Sequence, residues 1–363
     1  MVTLDRHRPK RRFRQLLLLC ASAILTLIVL ELIFRAGGIH GSYHQPRIDR
    51  SMPIAGKRAV RSTFGYFSNS IIVSQYDSDP RGYFDPGYVI SHSHNSVGWR
   101  DSEHTLEKPT DVYRILGVGD SYLYGQGVRH EDVCLTKLTG LLKETLEPKT
   151  IETINTGASG SNTVRQFQML STIGLAYDPD LVIVHFVLND ISPVGQVPQV
   201  KFYKDYTNIY QTSDWFCEYS YLWSWCRQRF LKTVRAKRHI RDSVDGFRTD
   251  SDGWRLCRDA LSRIKQICDA NDTRTLVVIF PYFIDLDGDY PFQPIHTIVA
   301  DYCRSQGINV LDLRDQYRSH HGPELWVHPT DQHPNETAHD IAARAIARYL
   351  KDHAEALLWR APS

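Results

Sequence analysis

At 363 residues, with 42% hydrophobic and 23% charged positions, the chain has ordinary globular composition and length enough for one large packed core or two smaller ones. Six of its 43 basic residues, Arg6, Arg8, Lys10, Arg11, Arg12 and Arg14, crowd the first 14 positions beside one acid, Asp5. The remainder carries 37 basic against 40 acidic residues, which leaves no nucleic-acid footprint.

Residues 1–15 read as a basic cytoplasmic tail. Residues 16–34 are an apolar run whose one charge is Glu31. At about 1.5 Å per helical residue such a run nearly matches a ~30 Å hydrocarbon layer. No small-x-small cleavage pattern follows it, and Ala21 and Ala23 lie inside it, which favours an uncleaved transmembrane anchor over a signal peptide. The cationic flank keeps the N-terminus in the cytoplasm, so the expectation is a single-pass protein of the inner (plasma) membrane, its main domain periplasmic or otherwise extracytoplasmic.

Residues 35–110, rich in Gly, Pro, Ser, His and Tyr and without sustained periodicity, read as a stalk passing into irregular structure that packs on the domain. Asn95-Ser96-Val97-Gly98-Trp99-Arg100 within it has a structural reading. Residues 111–357 read as the main domain. Strands are expected near 112–118, 150–155, 180–187, 275–281 and 308–312, and helices near 131–146, 162–175, 252–270, 293–306 and 335–356. Alternation of this kind implies parallel strands joined by right-handed crossovers, hence a three-layer α/β/α sandwich with its site at the C-terminal edge of a five-stranded parallel sheet.

Residues 191–249 interrupt the rhythm as an insertion. Trp215, Phe216, Tyr219, Tyr221, Trp223 and Trp225 are followed there by Arg227, Arg229, Lys232, Arg235, Lys237, Arg238 and Arg241. The segment reads either as a cover for the sheet edge or as a lid or surface facing lipid headgroups or an anionic glycan. Outside Cys20 of the anchor stand Cys134, Cys217, Cys226, Cys257, Cys268 and Cys303. An even count outside the cytoplasm permits disulfides, with Cys217 and Cys226 the first choice; buried free thiols are the alternative.

Ser121 follows a strand-like run in Gly119-Asp120-Ser121, and Asp331-Gln332-His333-Pro334-Asn335 stands near the far end. A serine hydroxyl is a weak nucleophile that needs an imidazole to take its proton and a carboxylate to orient that imidazole. Gly117-Val118-Gly119-Asp120-Ser121-Tyr122 fails the dinucleotide fingerprint because Tyr122 occupies the third glycine, and Gly125-Gln126 lacks the lysine of a P-loop. Leu123 likewise breaks the G-x-S-x-G elbow. Asp285, Asp287 and Asp289 lack the terminal Glu of a calcium loop, and His92 with His94 is too small a cluster for a metal site.

Two further strand-end stretches, Asn155-Thr156-Gly157-Ala158-Ser159-Gly160 and Val187-Leu188-Asn189-Asp190, complete a set. In this order Ser121, Gly160, Asn189 and His333 resemble the four signature blocks of the SGNH hydrolases, the GDSL esterase and lipase family, over roughly residues 110–355. The resemblance implies a flavodoxin-like fold, a Ser121 nucleophile, a His333 base, and an oxyanion hole made by the Ser121 and Gly160 backbone N–H groups with the Asn189 side chain. It implies neither cofactor nor metal. Three departures stand out. Thr330 occupies the usual acid position three before the histidine, so Asp331, two before, is assigned as the acid, as in some membrane-anchored, bacterial-type branches that include polysaccharide O-acetylation proteins. Ala338 replaces the glycine before His339, and Val187 replaces the glycine of block three. The implied activity is a membrane-anchored serine esterase acting on an acylated glycan or lipid. The alternatives are an O-acyltransferase for a cell-surface polysaccharide working beside a membrane acyl-donor protein, or a catalytically silent binding or scaffold protein of the same fold.

Overall fold

Three of the apolar runs, buried along nearly their whole length, set the order of the central sheet. β4 (Val112–Gly119), β6 (Leu181–Val187) and β7 (Arg274–Phe280) are buried on both faces, as strands covered by helices on either side must be. With β5 (Thr150–Asn155) and β8 (Asn309–Asp312) they form a five-stranded, all-parallel sheet ordered β5-β4-β6-β7-β8 in this computed structural model, which describes residues 8–39, 47–143, 150–192 and 219–358. The order is that of the flavodoxin-like doubly wound fold. Its direction of winding reverses at β4, so the crevice lies beyond the C-terminal ends of β4 and its neighbours.

Helices α3 (Cys134–Leu142), α4 (Thr163–Thr172), α6 (Asp252–Asp269), α7 (Gln293–Ser305) and α8 (Glu336–Asp352) flank the sheet, α3 packing on α8 and α4 on α6. Trp254, Cys257, Leu261, Ile264 and Cys268 show why α6 takes its place: spaced three and four apart, they form one buried stripe. Each fully buried aliphatic in such a stripe contributes about 1.5–3 kcal/mol. All five strands and five helices fall where the periodicity puts them, with ends shifted by a few residues. The expected end of the first helix, 144–146, lies outside the described residues.

The segment expected to be irregular contains more order than its sequence suggests. β1 (Ile48–Pro53), β2 (Ser70–Gln75) and β3 (Val89–Ser93) form an antiparallel sheet ordered β1-β2-β3. All six residues of β1 are exposed, so no alternation of apolar and polar positions marked it. A short hairpin of β9 (Trp326–His328) and β10 (Asp331–Pro334) also escaped the periodicity reading.

The chain divides into two compact units, residues 45–205 with 239–363, and residues 1–44 with 206–238. In the second, α1 (Arg8–Ala36) meets the start of α5 (Tyr221–Gly246). Glu31 accepts hydrogen bonds from Ser220 Oγ at 2.8 Å and from the N–H groups of Tyr221 at 3.0 Å and Leu222 at 3.1 Å. It thereby satisfies backbone donors that open every helix. Arg35 pairs with Glu31 one turn on, and Phe34 meets Trp225 edge to face at 5.5 Å. In the larger unit, Ile240, Val244 and Phe247 pack into the hydrophobic core, so the C-terminal part of the insertion is built into the domain. Residues 193–218, with Trp215, Phe216 and Cys217, and the tail 1–7 lie outside the described residues, and so does the Cys217–Cys226 pairing. Cys134, Cys257, Cys268 and Cys303 are buried free thiols.

Candidate active site

β4 ends at Gly119, opposite His185 of β6. A Cβ added at Gly119 would stand 2.8 Å from Leu123 Cβ and 3.0 Å from His185 Cβ, so glycine is what lets the chain turn tightly into α2 (Ser121–Tyr124). Asp120 caps that short helix, its carboxylate accepting the Tyr122 N–H at 2.9 Å. Ser121 is thus the first residue of a helix at the end of a central strand, and it is buried. The loop after α2 is tied down by the fully buried Arg100, whose guanidinium donates to the carbonyls of Tyr124 at 2.7 Å, of Val128 at 2.5 Å and of Gly125. The Asn95–Arg100 motif is structural in this sense: it braces the turn that carries the serine.

Asn189 follows β6. Its Nδ2 donates to Asp120 Oδ2 at 3.0 Å, the same oxygen to which Ser121 Oγ makes a long 3.4 Å contact. Asp120 therefore gathers the serine and the asparagine around one carboxylate. Burial pushes the Asp120 carboxyl up, against the Tyr122 N–H and the Asn189 amide that favour its charge. Next to it Asp190 is pushed well above the carboxylate range, first by burial and then by the charge of Asp120. Gly160 sits half-buried in the turn after β5 with φ +75°, a left-handed conformation that glycine adopts without strain. That turn is fastened to the end of β4 by the Ala158 N–H donating to Gly119 O at 3.2 Å.

β10 brings the other end of the chain to the same edge. Asp331 and His333, two apart on one strand, both point inward, while Gln332 between them is half-exposed. The His333 ring bonds through Nδ1 to Asp331 Oδ1, and its backbone N–H also donates to that oxygen at 3.3 Å. The Tyr122 ring meets the His333 ring edge to face at 5.9 Å, which sets the histidine beside the helix that begins with Ser121. Thr330 is engaged elsewhere, its Oγ1 2.8 Å from His328 Nδ1.

Three residues of this constellation were not read from the sequence. Asp120 was legible, standing within Gly-Asp-Ser itself. Tyr76 and Arg47 carried no signal: the Tyr76 hydroxyl donates to Asp331 Oδ2 at 2.8 Å and Arg47 Nη1 to the same oxygen at 2.5 Å, across 255 and 284 positions of chain. Burial alone would raise the Asp331 carboxyl, but the charges of His333 and Arg47, with the hydrogen bonds from His333 and Tyr76, hold it well below the usual carboxylate range. His339, the residue that ends the histidine block, is buried behind the site and accepts the Cys134 N–H at 3.2 Å.

A strand-end serine, an aspartate-paired histidine and a doubly wound sheet together are the features of a hydrolase that cleaves ester bonds. The chain belongs to the GDSL-like lipase/acylhydrolase family, whose profile matches residues 118–341. Among solved structures it is similar to a two-domain esterase active on acetylated mannans, with 14% identity over 69% of this chain and 52% of that one and a TM-score of 0.41. The chain therefore spans about half the length of that esterase. It is also similar to a catalytic mutant of an acetylxylan esterase from Geobacillus stearothermophilus (14% identity, 65% and 93% covered, TM-score 0.42) and to the lipase/acylhydrolase from Enterococcus faecalis (14%, 66% and 96%, 0.39). No curated protein matches the sequence.

Proposed function

We propose that this hydrolase is a membrane-anchored, extracytoplasmic serine esterase in which Ser121, His333 and Asp331 act in sequence. The reading is carried by the inward-facing Asp331–His333 pair of β10, set beside the helix that begins with Ser121. Ser121 Oγ attacks the acyl carbonyl carbon as His333 Nε2 takes its proton. Asp331 accepts from His333 Nδ1, fixing the tautomer and stabilising the imidazolium. The oxyanion that forms is met by the Ser121 and Gly160 N–H groups and by Asn189 Nδ2, which keeps a second hydrogen beyond the one given to Asp120. Collapse expels the alcohol, which takes the proton from His333, and water then releases the acid by the same steps in reverse order. The substrate class is an oxygen ester on a glycan or lipid.

Asn189→Ala should lower kcat by about 10²- to 10³-fold with little change in KM, since the amide is needed most when the oxyanion exists. A loss confined to KM would place Asn189 in substrate binding instead. For the nucleophile the direct test is labelling with a fluorophosphonate: peptide mapping should put the adduct on Ser121, and an adduct on another residue would end this reading.

The anchor is supported by the span Phe13–Ala36, no part of whose apolar window is buried, and by the use Glu31 makes of the start of α5. A leader destined for removal would leave the first N–H groups of α5 without that cap. Resistance of the full-length protein to alkaline carbonate extraction from membranes is expected. Recovery of a soluble chain trimmed beyond Glu31, without the apolar run, would show a cleaved signal.

A further inference from the structure

The acid of the proposed triad is held from two sides. One oxygen, Oδ1, faces His333; the other, Oδ2, takes the Tyr76 hydroxyl and the Arg47 guanidinium. Asp331 is 1% exposed, so these protein donors stand in place of solvent. Both come from the N-terminal antiparallel sheet. Arg47 directly precedes β1 and Tyr76 directly follows β2, and β1 and β2 pair so that Asp49 lies opposite Ser74. Asp49 fixes the arginine, accepting from Arg47 Nε at 2.9 Å and Nη2 at 3.2 Å, and is itself held by Ser74 Oγ at 2.7 Å. Tyr76 stacks on Phe84 at 4.5 Å, and its hydroxyl lies 2.8 Å from where a side chain on Gly127 would begin, a position kept open by that glycine at φ +77°. Burial, then the Asp331 charge, pushes the Tyr76 phenol well above its ordinary value, so it stays a donor.

We propose that Arg47 and Tyr76 are positioning residues for the catalytic acid: they fix which carboxylate oxygen faces His333. The inference rests on the Ser121–His333–Asp331 reading. A carboxylate with both oxygens engaged cannot rotate without breaking two bonds, so the imidazole keeps one orientation through turnover.

The test is steady-state hydrolysis of p-nitrophenyl acetate by the full-length protein. Arg47→Gln should lower kcat about tenfold with KM unchanged, and Arg47→Lys, which restores a cation near Oδ2, should recover more than half of that loss. Tyr76→Phe, which removes one oxygen, should lower kcat about tenfold with KM unchanged. Full kcat in Arg47→Gln together with full kcat in Tyr76→Phe would overturn the proposal. If Arg47→Gln does not fold, Tyr76→Phe decides alone: undiminished kcat overturns the clamp. Ser121→Ala and His333→Ala, run alongside, separate the two levels. Activity surviving in those variants sinks the triad, whereas activity lost there with kcat unmoved in the clamp variants sinks the clamp alone.

Discussion

Ser121→Ala is expected to lower kcat/KM toward a small acetate ester by about 10⁴-fold or more while the melting temperature moves by no more than a few degrees. The two effects separate because of how the serine is held. Its hydroxyl makes a long contact to Asp120, whereas the features that form the turn, the glycine at 119, the Asp120 cap and the Arg100 brace, belong to other residues. Alanine keeps the backbone N–H, so the proposed oxyanion donors remain and a residual rate above that in water should persist. Turnover close to wild type would remove Ser121 from the mechanism.

The second large effect concerns the acid and base. His333→Ala should be as severe as loss of the serine, because in the proposed mechanism that ring takes the proton. Asp331→Asn should lower kcat by about 10³- to 10⁴-fold, since an amide presents a donor or a neutral oxygen to Nδ1 and favours the wrong tautomer. Thr330→Ala, by contrast, should cost less than about threefold, because that hydroxyl is occupied with His328. The reverse ranking would mean that the acid has been misassigned. The aspartate also has a signature in stability. Its folded-state carboxyl lies well below the unfolded value of about 3.9, so its contribution is present above that pH and is lost as pH falls toward the depressed value. Acid denaturation should therefore begin at higher pH in the wild type than the neutral core alone would require, and its slope should flatten in Asp331→Asn.

What could be read from the sequence was what depends on local pattern. The strands of the parallel sheet are continuous apolar runs because both their faces are covered, and α6 and α8 carry helical stripes; both leave a period in the sequence. Ser121, Gly160, Asn189 and His333 were picked out by their resemblance to four family blocks, and each of the first three stands in the turn behind one of those strands. The choice of Asp331 as the histidine's partner came from the resemblance to branches that carry the acid two residues before the histidine, and in the structure Asp331, not Thr330, touches the ring. The N-terminal sheet was illegible because β1 is wholly exposed and the buried face of β3 pairs Ile90 with the polar His92, so neither shows an apolar–polar alternation in sequence. Arg47 and Tyr76 were illegible for a different reason. Their significance is a tertiary contact with a residue more than 250 positions away, and no spacing rule connects them.

The two-residue spacing of Asp331 and His333 has a consequence for how this site tolerates change. β10 does not run in a regular ladder there: Asp331 lies opposite His328 and Pro334 opposite Trp326, so Gln332 and His333 together face the single residue Val327. An extra residue of this kind re-aims the side chains beside it, and here it accompanies the return of the His333 ring and backbone N–H onto Asp331. Deleting Gln332 would regularise the ladder and turn the imidazole away from its carboxylate, although every proposed catalytic group would still be present in the chain. Length changes at that one position should be far less tolerated than substitutions of Gln332, whose side chain is half-exposed.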